Sequence, residues 1–354
     1  MSNKQNKIDQ FDPNSAAGLN QNLYGLPFST DDAQLVIVPV PWEVTVSYGE
    51  GTANGPKAIF DASFQVDLHD PVVKDAWKVG LAMDEISSEL EQKSFEFRQR
   101  ATLYLEQLTL GNSAESDPGL ATIVQEVNKA CREMNSWVKG RVSHFLNQGK
   151  VVGLLGGDHS TPLGMMQALG EKFGEFGVLQ IDAHADLRDA FEGFEFSHAS
   201  IMFNALKNPK ITKLVQVGIR DYCDAEVDII NSSNGRIKTF FDRDIKHAQF
   251  GGETWASICE RIVETLPDKV YLSFDIDGLD PKLCPNTGTP VAGGFEAEQV
   301  LFLIEQLIVR GKRIIAFDIN EVSPGDSEWD ANVGARMLYR IANLVAKSNG
   351  LASR

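Results

Sequence analysis

The chain has 354 residues, 43% of them hydrophobic, which is ample for a large core in one or two domains. Its formal net charge of −16 excludes the basic patch a nucleic-acid surface needs and suits attraction of a cationic small molecule. No apolar run approaches the ~20 residues of a membrane span, the start at Met1–Gln10 lacks the apolar core of a signal peptide, and the four cysteines form no C-x-x-C pair, so the expected setting is the reduced cytoplasm, away from membranes.

Residues 1–33 are polar and read as an N-terminal arm. Leu35–Val38 is the first short apolar run, a buried strand expected to end at Pro39 and Pro41, which cannot donate a ladder hydrogen bond. A loop from Trp42 to Thr52 follows, with Trp42, Glu43, Ser47 and Tyr48 placed to line a pocket. Gly55-Pro56 then opens a helix, proline being suited to a first helical turn. Residues 86–148 are mostly helical, with apolar positions at helical spacing over 95–110 and 122–146 and a break at 111–119. They read as a surface excursion within one domain spanning 34–354.

From residue 151 onward strands and helices alternate. Strands are expected at 151–155, 176–182, 214–219, 237–241, 270–275 and 314–319, and helices at 162–172, 198–206, 225–230, 254–265, 297–309 and 332–347. Such alternation predicts a parallel sheet covered by helices on both faces. Ligands bind such sheets beyond the carboxyl ends of the strands.

Three motifs fall there. Gly156-Gly157-Asp158-His159-Ser160 follows the strand at 151–155. Asp182-Ala183-His184-Ala185-Asp186 follows 176–182, and Asp275-Ile276-Asp277-Gly278 follows 270–275. In extended chain, residues two apart point the same way, so Asp182, His184 and Asp186 converge if that geometry persists. Asp275 and Asp277 repeat the pattern. Burying like-charged carboxylates side by side is costly unless a cation neutralises them. The candidate ligands are therefore His159, Asp182, His184, Asp186, Asp275 and Asp277, more than one ion needs. They suit two ions about 3.5–4 Å apart bridged by shared carboxylates. Carboxylates with two imidazoles fit Mn²⁺, with Ni²⁺, Co²⁺ or Zn²⁺ as alternatives. His198 has no second ligand at close spacing and reads as a proton shuttle. Glu321, at another buried strand's end, can pair with a guanidinium in bidentate fashion.

Together the motifs resemble the ureohydrolase superfamily of arginases, agmatinases and formimidoylglutamases, over roughly residues 35–348. The resemblance implies a three-layer α/β/α sandwich on a mainly parallel sheet, assembled as a trimer or hexamer. It implies one metal held by His159, Asp182, Asp186 and Asp275 and another by Asp182, His184, Asp275 and Asp277, with Asp182 and Asp275 bridging. His198 matches the family's catalytic histidine, and Glu321 the glutamate that grips the guanidinium, with Asp277 a partner in proton relay.

The implied reaction is hydrolysis of a guanidino C–N bond with release of urea. The D-L-R-D…S-H-A-S stretch from Asp186 to Ser200 resembles agmatinases, and Arg188 stands where arginases carry an Asn. The favoured substrate is therefore agmatine, giving putrescine and urea. An inward-facing Arg188 would instead suit guanidinobutyrate or formimidoylglutamate, and arginine and guanidine stay open. The rivals are a deacetylase of the same fold and a non-catalytic binding protein.

Overall fold

Val, Ile and Leu dominate the runs that form the sheet, and most strand residues are buried on both faces, as parallel strands require. The computed structural model describes residues 3–16, 18 and 21–352; residues 1, 2, 17, 19 and 20 of the expected arm, and 353 and 354 at the domain's end, lie outside the described residues. The strands are β1 (Leu35–Val40), β2 (Leu81–Met83), β3 (Val151–Gly156), β4 (Phe176–Ile181), β5 (Ile211–Ile219), β6 (Ile237–Phe241), β7 (Lys269–Asp275) and β8 (Arg313–Asn320). They lie in the order β2-β1-β3-β8-β7-β4-β5-β6, every neighbour parallel.

The α-helices are α1 (Asn3–Gln10), α2 (Gly55–Ser63), α3 (Ser88–Thr109), α4 (Pro118–Asn147), α5 (Leu163–Phe173), α6 (Ile201–Leu206), α7 (Asp224–Ser232), α8 (Asp242–Phe250), α9 (Trp255–Glu264), α10 (Ala297–Val309) and α11 (Trp329–Ser348). One apolar core joins the sheet to α2, α9, α10 and α11; a second, on the opposite face, joins it to α3, α4, α5 and α6. This is the expected α/β/α sandwich. Among the described residues no helix is long and apolar enough to cross a membrane.

Several expectations need correction. β1 runs through Pro39 to Val40. Ile37 accepts from Asp84 on the β2 side, whereas Val40 accepts from Gly157 on the β3 side. Pro39, two residues after Ile37, therefore turns its missing N–H toward the side where β2 has already ended. The short strand β2 and the polar helices α1 and α8 carry too little apolar periodicity to be seen in advance. The strand expected at 176–182, which the motif at its end suggested as the central one, is β4 and is not central: β8 and β7 hold the middle, with β4 beside β7. The second half of the arm is not a surface extension, because Leu23, Tyr24, Leu26 and Phe28 are buried in the first core and Tyr24 donates to the carbonyl of Ala335 at 2.7 Å.

Candidate metal centre

Strands β3, β8, β7 and β4 are contiguous, and their register is level at the carboxyl edge. Leu155 pairs with Ile319, Ile319 with Phe274, and Phe274 with Ile181. One residue further on, Asp275 and Asp182 stand side by side on adjacent strands. His159 arrives from the turn after β3, and Glu321 from the end of β8. Parallel register thus gathers residues from four distant segments at one place.

The donor atoms form two groups that share Asp182. In the first, His159 Nδ1 faces Asp182 Oδ2 and Asp186 Oδ2 at 3.0 Å each and Asp275 Oδ2 at 3.2 Å. In the second, His184 Nδ1 lies 2.9 Å from Asp277 Oδ2 and 3.7 Å from Asp182 Oδ1. All six candidate ligands are thus together. Asp275 faces the first group, and its remaining oxygen accepts from the Asp277 N–H at 2.9 Å. Extended alternation does not carry the motif: the chain bends at Ala183, and the His184 N–H turns back onto Asp182 Oδ1 at 2.6 Å. Asp186 reaches the cluster through a left-handed residue, φ 55°, while its carbonyl accepts from Met202 and Phe203 at the start of α6.

The donor set fits divalent cations. Four buried or nearly buried carboxylates meet two imidazoles, so two negative charges remain even if both imidazoles are protonated. His159 Nε2 is hydrogen-bonded to Ser273 Oγ at 2.9 Å, whereas Nδ1, buried among three carboxylate oxygens, makes no hydrogen bond. Three carboxylate oxygens converging on one ring nitrogen call for a positive charge at that point, a proton or a metal ion. Burial and Asp182 push Asp186 up to about 7, and burial with Asp277 and Asp182 raises Asp275 well above the carboxylate range. Burial works against protonation of His184, yet Asp277 and Asp182 outweigh it and lift the imidazole to about 12. Metal binding must displace such protons.

A polar shell holds these ligands, and the sequence offered no sign of it. Gln180 Nε2 donates to Asp182 Oδ2 at 2.8 Å, its Oε1 accepts from Gln216 at 2.8 Å, and Thr239 donates to Gln216 at 2.8 Å. Behind His159, Ser273 Oγ donates to Asp318 at 3.1 Å, and Asp318 is fixed in turn by Tyr271 and Asn320. Such outer partners set ligand orientation and tautomer. Gln180→Leu is expected to weaken metal binding by roughly 10–100-fold, read by competition with a chelator. Unchanged affinity would show that Asp182 needs no such support.

Glu321 adopts a left-handed conformation, φ 63°, immediately after β8. Its Oε1 accepts from the His159 N–H at 2.8 Å, and its backbone N–H is held by the Gly157 carbonyl at 2.8 Å. His198 opens a short turn before α6, with Ser197 Oγ 3.4 Å from its Nδ1. Part of its surface is exposed, but desolvation and then the His184 and His159 charges push it down to about 3, leaving a neutral imidazole. Arg188 points neither into the ligand cluster nor simply outward: its guanidinium lies 4.7 Å over the Phe191 ring. The loop after β1 lines the opening only in part. Trp42 and Glu43 are buried, and Glu43 Oε2 accepts from Gly51, Thr52 and Ala53, so the pair shapes the loop; Ser47 and Tyr48 are the exposed members.

The sequence profile of the arginase family matches residues 33–343. The chain belongs to the arginase family. Among its relatives, the N(1)-aminopropylagmatine ureohydrolase of Thermus thermophilus is 30% identical over 324 residues, covering 92% of this chain and 94% of the relative. The agmatinase of Cronobacter sakazakii is 29% identical over 322 residues, 89% of each chain. The agmatine ureohydrolase structure of Thermoplasma volcanium superposes with a TM-score of 0.70 at 21% identity, covering 98% of this chain and 99% of that one, a likeness of fold. An arginase-family member with this donor set is a metal-dependent hydrolase, and its cluster joins residues that the family match spans from end to end.

Proposed function

We propose that this arginase-family chain is a binuclear-metal ureohydrolase acting on agmatine, giving putrescine and urea. The observation that carries this reading is the pair of donor groups sharing Asp182, with Glu321 bonded to His159 and His198 standing free of both groups. The names of the relatives add N(1)-aminopropylagmatine as the second reading, an agmatine extended by a further aminopropyl arm.

His159, Asp182, Asp186 and Asp275 would hold one ion, and Asp182, His184, Asp275 and Asp277 the other; Mn²⁺ suits the donors, with Ni²⁺ or Co²⁺ as alternatives. Bound divalent ions supply Lewis acidity and bring a water's pKa toward neutrality. Glu321 orients the guanidinium: Oε1 is anchored on the His159 N–H, and Gly288, lacking a side chain, leaves room beside Oε2 for a guanidinium N–H. Asp277, held by the Ala183 N–H at 2.9 Å, is placed to take a proton as the C–O bond forms. That proton goes to the departing amine as the C–N bond breaks, with neutral His198 as the relay, one ring nitrogen accepting a proton as the other gives its own up. Closed assembly as a homo-oligomer, trimer or hexamer, belongs to this reading, as does a cytoplasmic setting, which suits the free cysteines.

The test is a comparison of specificity constants for agmatine, N(1)-aminopropylagmatine, arginine, guanidinobutyrate, formimidoylglutamate and guanidine. Agmatine is expected to lead every compound that is not a polycation by tenfold or more, about 1.4 kcal/mol of transition-state discrimination. A lead for N(1)-aminopropylagmatine selects the second reading. A lead for a carboxylate-bearing compound rejects both.

A further inference from the structure

Glu192 occupies the first central position of a two-residue turn. Phe191 and Phe194 exchange backbone hydrogen bonds of 3.2 and 2.9 Å, and Glu192 and Gly193 both hold positive φ, 53° and 83°. Turns of this hand favour Asn, Asp or Gly at that position, so a Glu is strained there. Its carboxyl group takes support from the Ser47 hydroxyl, yet Oε2 is buried without a hydrogen-bond partner. Arg188, the nearby cation, is engaged with the Phe191 ring and makes no ion pair with it.

The turn is firmly held beside the centre. Asn128 of α4 donates to the Gly193 carbonyl at 3.1 Å and accepts from Glu195 N–H at 2.8 Å. Tyr104 of α3 packs edge-on against Phe194 at 5.4 Å, and Phe191 rests edge-on against His198 at 6.2 Å. Ser47 belongs to the loop whose Gly49 donates to the carbonyl of Gly288, the residue facing Glu321. One loop therefore touches Glu192 at one end and the surroundings of Glu321 at the other.

A strained backbone and an unpaired buried acceptor both oppose folding and gain nothing from the chain itself. What they fit is an N–H cation from outside. We infer that Glu192 binds the ammonium at the far end of a guanidino substrate whose guanidinium rests on Glu321, and so sets specificity for dicationic substrates. This rests on the function proposed above.

The test uses the metal-loaded enzyme and two substrates of equal length, agmatine and pentylguanidine, in which a methyl replaces the ammonium. In Glu192→Gln the ratio of kcat/KM for agmatine to that for pentylguanidine is expected to fall by about tenfold or more, the size of one charge-assisted hydrogen bond, mainly through the KM for agmatine. An unchanged ratio overturns the assignment. Glu192→Gly relieves the positive φ; it is expected to melt no lower than wild type and to show the same fall. If the wild-type enzyme releases urea from neither compound, the proposed function fails separately. Glu192 is then judged by calorimetric binding of 1,4-diaminobutane: a tenfold loss of affinity in Glu192→Gln upholds the assignment, and equal affinity overturns it.

Discussion

Asp182→Asn is expected to lose hydrolysis by on the order of 10³-fold or more, because Lewis-acid stabilisation of this kind is worth several kcal/mol. Asp182 faces both donor groups, one oxygen toward His159 and the other toward His184. It is buried at the edge of β4, next to Asp275, so no other side chain can take its place. The variant should therefore bind neither ion normally. His159→Ala removes a ligand from the first group alone and should do less damage. Metal content per chain and urea release, measured on the same preparations, decide the matter. An Asp182→Asn enzyme holding two ions with undiminished turnover contradicts the shared-ligand geometry. A fully active wild-type enzyme holding a single ion contradicts the binuclear reading itself.

His198→Ala is expected to keep both ions and slow turnover by roughly 10²-fold or more, the range for general acid–base catalysis. No carboxylate among the described residues lies within ion-pair distance of His198, whereas each of the other two site imidazoles has several. Its neutral ring also follows from position: any cation in the cluster pushes it further from protonation, as the His184 and His159 charges do. A variant whose metal content falls with its activity would make His198 a ligand and remove it from the proton path.

Most strands from residue 151 onward and the helices between them were legible because they carry apolar runs or a clear period, whereas α8 was missed for want of one. β2 was not, since three residues between Gly80 and Asp84 show no alternation. The ligands were legible for a local reason: Asp and His at alternate positions past an apolar strand have few other uses. Their closeness to His159 was not local, and it depends on β8 and β7 lying between β3 and β4. The left-handed turn at Asp186 was hidden because alternation alone suggests that the strand simply continues. Gln180, Ser273 and Asp318 were hidden because a polar residue inside an apolar strand does not reveal what it faces. Glu192 was hidden because in sequence it is one acidic residue among several.

The hairpin of α3 and α4, which reads as a surface excursion, reaches both loops at the opening of the site. Arg98 of α3 clasps the carbonyl of Val46 and pairs with Glu50 at 3.0 Å, while Tyr104 and Asn128 grip the turn at 191–195. None of the six clustered ligands comes from it. The catalytic floor is built by the strand ends, and the entrance is framed by two helices whose inner faces belong to the second core, so inheritance can act on their outer and loop-facing positions apart from the floor. Changes along α3 and α4 can retune which molecules enter while the chemistry beneath stays constant, and a lineage diversifying its substrates has this hairpin as ready raw material.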